Sequence, residues 1–193
     1  MQIDSSTAVV DNDFIIHLVE SRLDDDVLLN SIRCIFDDLG LTALIHPLVY
    51  EKELPRDNVR VKLMFRQSII QKVQFADIFQ NEEQEEYYYF LVQELYHART
   101  GNDFPASGKE IQVYWKRRGS LGEVHSISMC MVCGCGIFLS DDKDSKWLGN
   151  YIRNKAMGSI TVYNRTELVD KYLEESTAPI LHAVRKSLTH TGT

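Results

Sequence analysis

The sequence predicts an α/β fold in three layers, a central parallel sheet with helices on both faces. Three observations predict it. Short apolar runs alternate with longer segments of helical period, and strands separated by helices pair in parallel. The composition, 44% hydrophobic and 25% charged over 193 residues, is that of an ordinary globular chain. Such a chain is long enough to bury about 70% of its unfolded surface without a disulfide or a metal staple. Four prolines and ten glycines are too few for a sandwich of many short strands.

The elements follow in order. Ala8–Asp11 is an apolar run ending in an acid and reads as the first strand, and Phe14–Val19 opens a helix. Val27–Leu39 is amphipathic, with Leu28, Ile32, Ile35, Phe36 and Leu39 at three- and four-residue spacing. Gly40 stands where a glycine commonly ends a helix. Leu41–Ile45 reads as the second strand, and Pro47 as the start of the next helix. Arg60–Phe79 is helical by period through Val61, Met64, Phe65, Ile69, Val73 and Phe75. Gln84–Thr100 sets Tyr88, Leu91, Val92, Leu95 and Tyr96 on one side, and Gly101-Asn102-Asp103 breaks it. Gly122–Cys133 reads as a helix, Gly136–Ser140 as a strand, Lys146–Lys155 as a helix and Ser159–Tyr163 as a strand. Glu167–Glu175 and Pro179–Leu188 read as closing helices. No internal repeat or low-complexity linker divides the chain, so residues 1–193 are read as a single domain with an extended helical segment at about 55–121.

Charge and cysteine usage narrow the function classes. A net charge of −7, from 28 acids and 21 bases, disfavours tight non-specific coating of nucleic acid, while leaving room for a local basic strip beside an acidic site. The N-terminus has no basic segment followed by an apolar one, so no signal peptide is expected. No apolar run approaches the length of a membrane span. Three of the four cysteines crowd into Met129–Cys135, unlike a secreted disulfide framework. A cytoplasmic location is the expectation.

Ligands of a parallel sheet bind at the carboxyl ends of its strands, and the residues there are mostly carboxylates. Asp11 and Asp13 follow the first strand, Glu51 and Glu53 the second, and Asp141, Asp142 and Asp144 the strand after the long helical region; Glu123 opens the helix before that strand. Any one of them reads equally well as a helix cap. Together at one sheet edge they would repel and take up protons unless a cation neutralised them. An all-oxygen set suits Mg²⁺ or Mn²⁺, and such ions commonly serve phosphoryl chemistry.

In this order the motifs resemble those of the PIN domain family. VVDNDFIIHL is similar to the family's opening, a strand ending in Asp and running into a helix. HPLVYEKEL resembles its second motif, a turn followed by a helical Glu and a Leu. GEVHSISMCMVCGCGIFLSDDKDSK resembles its Gly-Glu helix, strand and Ser/Thr-Asp-Asp run before a basic residue. The resemblance covers about residues 7–175. It implies a Rossmann-like fold and a metal-dependent ribonuclease using Mg²⁺ or Mn²⁺. The catalytic acids it implies are Asp11, Glu53, Glu123 and Asp141 or Asp142, with Asp11, Glu123, Asp141 and Asp142 as metal ligands. Glu53 is preferred to Glu51 because Leu54 follows it. The stretch from Pro55 to Leu121 is longer than a compact member needs, which implies an extended helical pair. The partners implied are an RNA substrate and, as in toxin members of the family, a small antitoxin-type protein or a homodimer. Two alternatives stay open: an inactive RNA- or protein-binding module of the same fold, and a haloacid-dehalogenase-like phosphatase opening on Asp11-Asn12-Asp13. The late Ser-Asp-Asp lacks the glycine of that second family.

The remaining polar signals are less specific. Lys116, Arg117 and Arg118, just before Gly122-Glu123, are the best candidates for contacts with nucleic-acid phosphates; Lys52, Arg56, Arg60, Lys62 and Arg66 form a second basic strip. Cys130, Cys133 and Cys135 read as small buried residues rather than zinc ligands, and the Gly134-Cys135-Gly136 step as a site of close chain packing. His125 reads as a surface or boundary residue. Of Tyr87, Tyr88, Tyr89 and Phe90, at least half must face the core or its boundary, because a helix cannot aim four successive side chains one way.

Overall fold

The computed structural model describes residues 3, 6–104, 121–175, 185 and 187–189. Its described elements are β1 (Thr7–Val10), α1 (Asn12–Val19), α2 (Asp25–Asp38), β2 (Thr42–Ile45), α3 (Pro47–Lys52), α4 (Val59–Arg66), β3 (Ile70–Lys72) and α5 (Phe75–Ile78). They continue with α6 (Glu82–Thr100), α7 (Leu121–Cys133), β4 (Ile137–Leu139), α8 (Lys143–Asn154), β5 (Thr161–Tyr163) and α9 (Arg165–Glu175). The expected closing helix at Pro179–Leu188 lies largely outside the described residues, as do Lys116, Arg117 and Arg118.

The five strands form one sheet, every neighbouring pair parallel, in the order β3-β2-β1-β4-β5. The central strand β1 is buried along its whole length, and its residues alternate between two cores. Ala8 and Val10 point to the face covered by α1, α2, α4 and α9, where Phe14, Leu28, Ile32, Met64 and Tyr172 pack. Val9 points to the face covered by α6, α7 and α8, with Leu44, Phe138, Val92, Ile127 and Ile152. This period-two alternation makes three layers from one sheet. Each fully buried large apolar side chain contributes about 2 kcal/mol. Helix α7 is buried nearly all round, because the sheet lies on one side of it and α6 on the other.

Three sequence expectations change. The helical period over Arg60–Phe79 covers three elements, with the short strand β3 between α4 and α5. The break is at Ser68, whose φ of 55° leaves the helical region. Ile70 and Val73 keep a helical spacing but serve a strand and its exit. Next, the glycines flanking Cys135 are not sites of close packing, since a side chain at 134 or 136 would meet nothing within 4 Å. Gly134 is needed instead for its φ of 72°, which turns the chain out of α7. Finally, His125 is buried, at 1% exposure.

The chain leaves β1 toward β2 and β3, then returns across the sheet to place β4 on the other side of β1. The strand order therefore reverses between β1 and β4, and the crevice for a ligand opens beyond their carboxyl ends.

Candidate functional site

Asp11 follows β1 at that crevice and Ser140 follows β4. Asp11 caps α1 by accepting the Asn12 N–H at 2.8 Å, and Asp13 accepts the Phe14 N–H at 2.7 Å. The Ser140 hydroxyl lies between them, 3.3 Å from Asp11 Oδ2 and 3.3 Å from Asp13 Oδ1. Ser145 donates to that hydroxyl at 2.9 Å and the Asp142 N–H donates to it at 3.1 Å. A buried hydroxyl thus spaces two carboxylates and pins the start of α8.

Two further acids enter from the sides. Glu53 ends α3, beyond β2. Glu123 stands in the first turn of α7, beside Gly122, whose missing side chain leaves the room that the Glu53 carboxylate takes. Glu51, by contrast, pairs with Lys72 at 3.0 Å, its side chain 48% exposed.

The electrostatics are those of crowded anions. Burial, and then the charges of Asp13, Glu123 and Glu53, push the Asp11 carboxyl well above the usual range. Burial raises Asp13 too, with its bond to the Phe14 N–H opposing and the charges of Asp141 and Asp142 adding. Burial, a hydrogen bond with Asp142 and the Asp142 charge push Glu123 up to about 8. That shift favours a proton shared between Glu123 and Asp142 at neutral pH. Among the described residues no lysine or arginine forms an ion pair with Asp11, Asp13, Glu123 or Asp142.

The adjacent aspartates after β4 part company. Asp142 is the N-cap of α8, accepting the Asp144 N–H at 2.8 Å, and faces Glu123. Asp141 turns to Arg165: its Oδ1 accepts the Arg165 N–H at 2.9 Å, and its Oδ2 accepts from Arg165 Nε and from His17 Nδ1, the latter at 2.8 Å. Arg165 is 6% exposed and also donates to the carbonyls of His17 and Leu188. Asp141 thereby ties α1 and α9 to the end of β4.

Behind the acids runs a buried polar chain with a defined direction. The Leu48 N–H donates to His46 Nδ1 at 3.2 Å, which leaves the proton of a neutral His46 on Nε2. That proton is given to the Tyr88 hydroxyl at 2.9 Å, and Tyr88 donates in turn to His125 Nδ1 at 2.6 Å. Burial keeps both rings neutral; it lowers His46 well below its ordinary value, with His125 adding, and lowers His125 to about 3. The chain locks α3, α6 and α7 together, and so fixes the helices that carry Glu53 and Glu123.

The structure therefore brings Asp11, Glu53, Glu123 and Asp142 into one electrostatically coupled group, adds Asp13 and Ser140, and gives Asp141 to an ion pair. Asp13 was visible only as the second acid of Asp11-Asn12-Asp13, and Ser140 only as the first residue of Ser-Asp-Asp. The set is all oxygen and anionic, the chemistry a hard divalent cation requires. Among the described residues, no three His, Cys, Asp or Glu side chains meet in an arrangement that could hold a metal ion. Glu123 is turned to Asp142, and the Ser140 hydroxyl lies between Asp11 and Asp13. The basic strip at Lys116, Arg117 and Arg118 lies outside the described residues. Of the other strip, Arg60 is structural: it donates to the carbonyls of Val19, Ser21 and Leu23 and pairs with Asp25. Among the described residues no helix is long and apolar enough to cross a membrane. Compared with family models, with curated proteins and with solved structures, the chain matches none.

Proposed function

We propose that this chain is a PIN-like, Mg²⁺- or Mn²⁺-dependent ribonuclease that hydrolyses RNA phosphodiester bonds at the crevice between β1 and β4. One observation carries the reading: Asp11 and Glu123, both pushed far up in pKa, are crowded by Asp13, Glu53 and Asp142, and among the described residues no lysine or arginine forms an ion pair with Asp11, Asp13, Glu123 or Asp142. Convergent carboxylates of this kind are costly without a counter-charge. Asp11, Glu53, Glu123 and Asp142 would hold the cation. When bound, it supplies Lewis acidity, making water more acidic and stabilising the leaving oxygen. The chain's own part is to orient these acids: Ser140 spaces Asp11 from Asp13, Gly122 makes room for Glu53, and the chain from His46 to His125 steadies the helices bearing Glu53 and Glu123. Glu123 must give up its proton to become a ligand.

A second reading, an inactive binding module of the same fold, is favoured by the lack of a three-ligand group among the described residues. Calorimetric titration with Mn²⁺ separates the two. The ribonuclease reading expects saturable binding with release of protons at neutral pH; no measurable binding supports the inactive module.

A further inference from the structure

Helix α8 begins at a site acid, since its N-cap is Asp142. Along its outer face Lys143, Trp147, Tyr151 and Lys155 recur at four-residue spacing, which stacks them in one row. Trp147 is 46% exposed. Its ring lies on that of Tyr151, centroids 5.5 Å apart and planes 22° from parallel. Lys155 Nζ stands 5.7 Å from the Tyr151 centroid. Asn150 and Asn154, both exposed, border the row.

The charge of α8 runs against that of the protein. It carries Lys143, Lys146 and Arg153 against one acid, Asp144, with Asp142 as its N-cap and Lys155 as its C-cap, in a chain of net charge −7. Asp144 is paired with Arg99, and Lys146 with Glu167. The row itself contains no acid. With a rise of about 1.5 Å per residue, Trp147 sits roughly 8 Å along the helix from Asp142 and Tyr151 roughly 14 Å. An acidic protein thus presents a basic, aromatic track that starts at its carboxylate crevice.

We propose that the Lys143–Trp147–Tyr151–Lys155 face of α8 binds single-stranded nucleic acid, its bases stacked on Trp147 and Tyr151 and its phosphates met by Lys143 and Lys155. The occupant follows from the chemistry. The exposed Trp147 ring and the half-buried Tyr151 ring beside it offer stacking to any base, the flanking lysines offer charge to the backbone, and a duplex keeps its bases away from both rings. A protein partner would not need cations regularly spaced with rings. As a binding surface the track stands on α8 alone; as the path of a substrate into the crevice it rests on the ribonuclease reading.

The test uses the full chain and a fluorescently labelled 12-nucleotide poly(U) RNA, alone and annealed to poly(A), in EDTA so that binding is read without turnover. The single strand should bind at least tenfold more tightly than the duplex, with binding weakening as salt rises. Trp147→Ala and Tyr151→Ala should each weaken it about tenfold, and Trp147→Phe should restore most of the loss. Thermal melts check that the substitutions at exposed Trp147 and half-buried Tyr151 leave the fold intact. Equal affinity for single strand and duplex, unchanged binding in both alanine variants, or no binding at all overturns the proposal. Cleavage of the same RNA by the parent protein with Mn²⁺ is scored separately. Ring-dependent binding without cleavage under any metal keeps this surface and removes the ribonuclease reading. Cleavage without ring-dependent binding does the reverse.

Discussion

Glu53 fills the space that a side chain at position 122 would need: a methyl group on Gly122 would stand 2.6 Å from Glu53 Oε2 and 2.9 Å from Oε1. The obstacle is the far end of a flexible side chain, so the backbone can stay where it is while the carboxylate moves. Alanine is also the better helix former, by about 1 kcal/mol. Gly122→Ala should therefore leave the melting temperature unchanged or slightly raised while weakening Mn²⁺ binding about tenfold. Loss of stability with metal binding intact would mean that Glu53 is no ligand and Gly122 merely a packing site.

The adjacent aspartates after β4 should behave oppositely. Asp141→Asn breaks the buried pair with Arg165 and should cost about 3 kcal/mol of stability. Asp142→Asn keeps the cap of α8, since asparagine caps about as well, and should change stability by less than about 1 kcal/mol while removing charge from the metal group. Urea denaturation and Mn²⁺ titration of both variants check the split.

Stability should depend on pH in a way set by the crowded acids. Glu123 is raised from 4.5 to about 8, so its contribution is whole below pH 4.5 and is lost as pH rises through 8; Asp11 acts in the same direction. His46 and His125 are lowered from 6.5, the latter to about 3. Their contribution is whole above pH 6.5 and is lost as pH falls toward 3. Between pH 6.5 and 8 the raised acids outweigh what remains of the change at His46 and His125, and the melting temperature in EDTA should fall across that window. With Mn²⁺ it should hold or rise, because deprotonated acids bind the ion. A melting temperature in EDTA that rises from pH 6.5 to 8 would contradict the shared-proton account of Glu123 and Asp142.

Tyr88→Phe removes the middle of the buried chain. His46 Nε2–H loses its acceptor and His125 Nδ1 its donor, at a cost of about 1–3 kcal/mol. Chemical denaturation should show that loss, and Mn²⁺ affinity should drop with it, because the helices bearing Glu53 and Glu123 lose a common anchor.

The parts of this molecule that were legible in the sequence are those where local pattern and tertiary role agree. Val9-Val10-Asp11 reads as a strand running into an acid, and does so in the structure. The run from Gly122 to Cys133 is a helix with Glu123 in its first turn. What escaped was what depends on contacts far along the chain. Ile69, Ile70 and Val73 satisfy a helical period, and only Ser68 and pairing with β2 make a strand of Ile70–Lys72. Asp141 and Asp142 are indistinguishable by spacing, and Arg165, twenty-four residues beyond Asp141, decides between them. His125 looked peripheral because nothing local shows that α6 covers α7 and that Tyr88 waits there with a hydroxyl.

The central claim is that the acids between β1 and β4 work as one metal-dependent hydrolytic site, and Asp11→Asn tests it most directly. Asparagine keeps the cap on α1 and removes the buried charge most crowded by its neighbours. The parent protein should cleave RNA with Mn²⁺ or Mg²⁺ and not in EDTA. The variant should lose at least about a hundredfold of that activity, some 2.7 kcal/mol of transition-state stabilisation, with an unchanged or higher melting temperature. Full activity in the variant, or no cleavage by the parent under either metal, would contradict the claim.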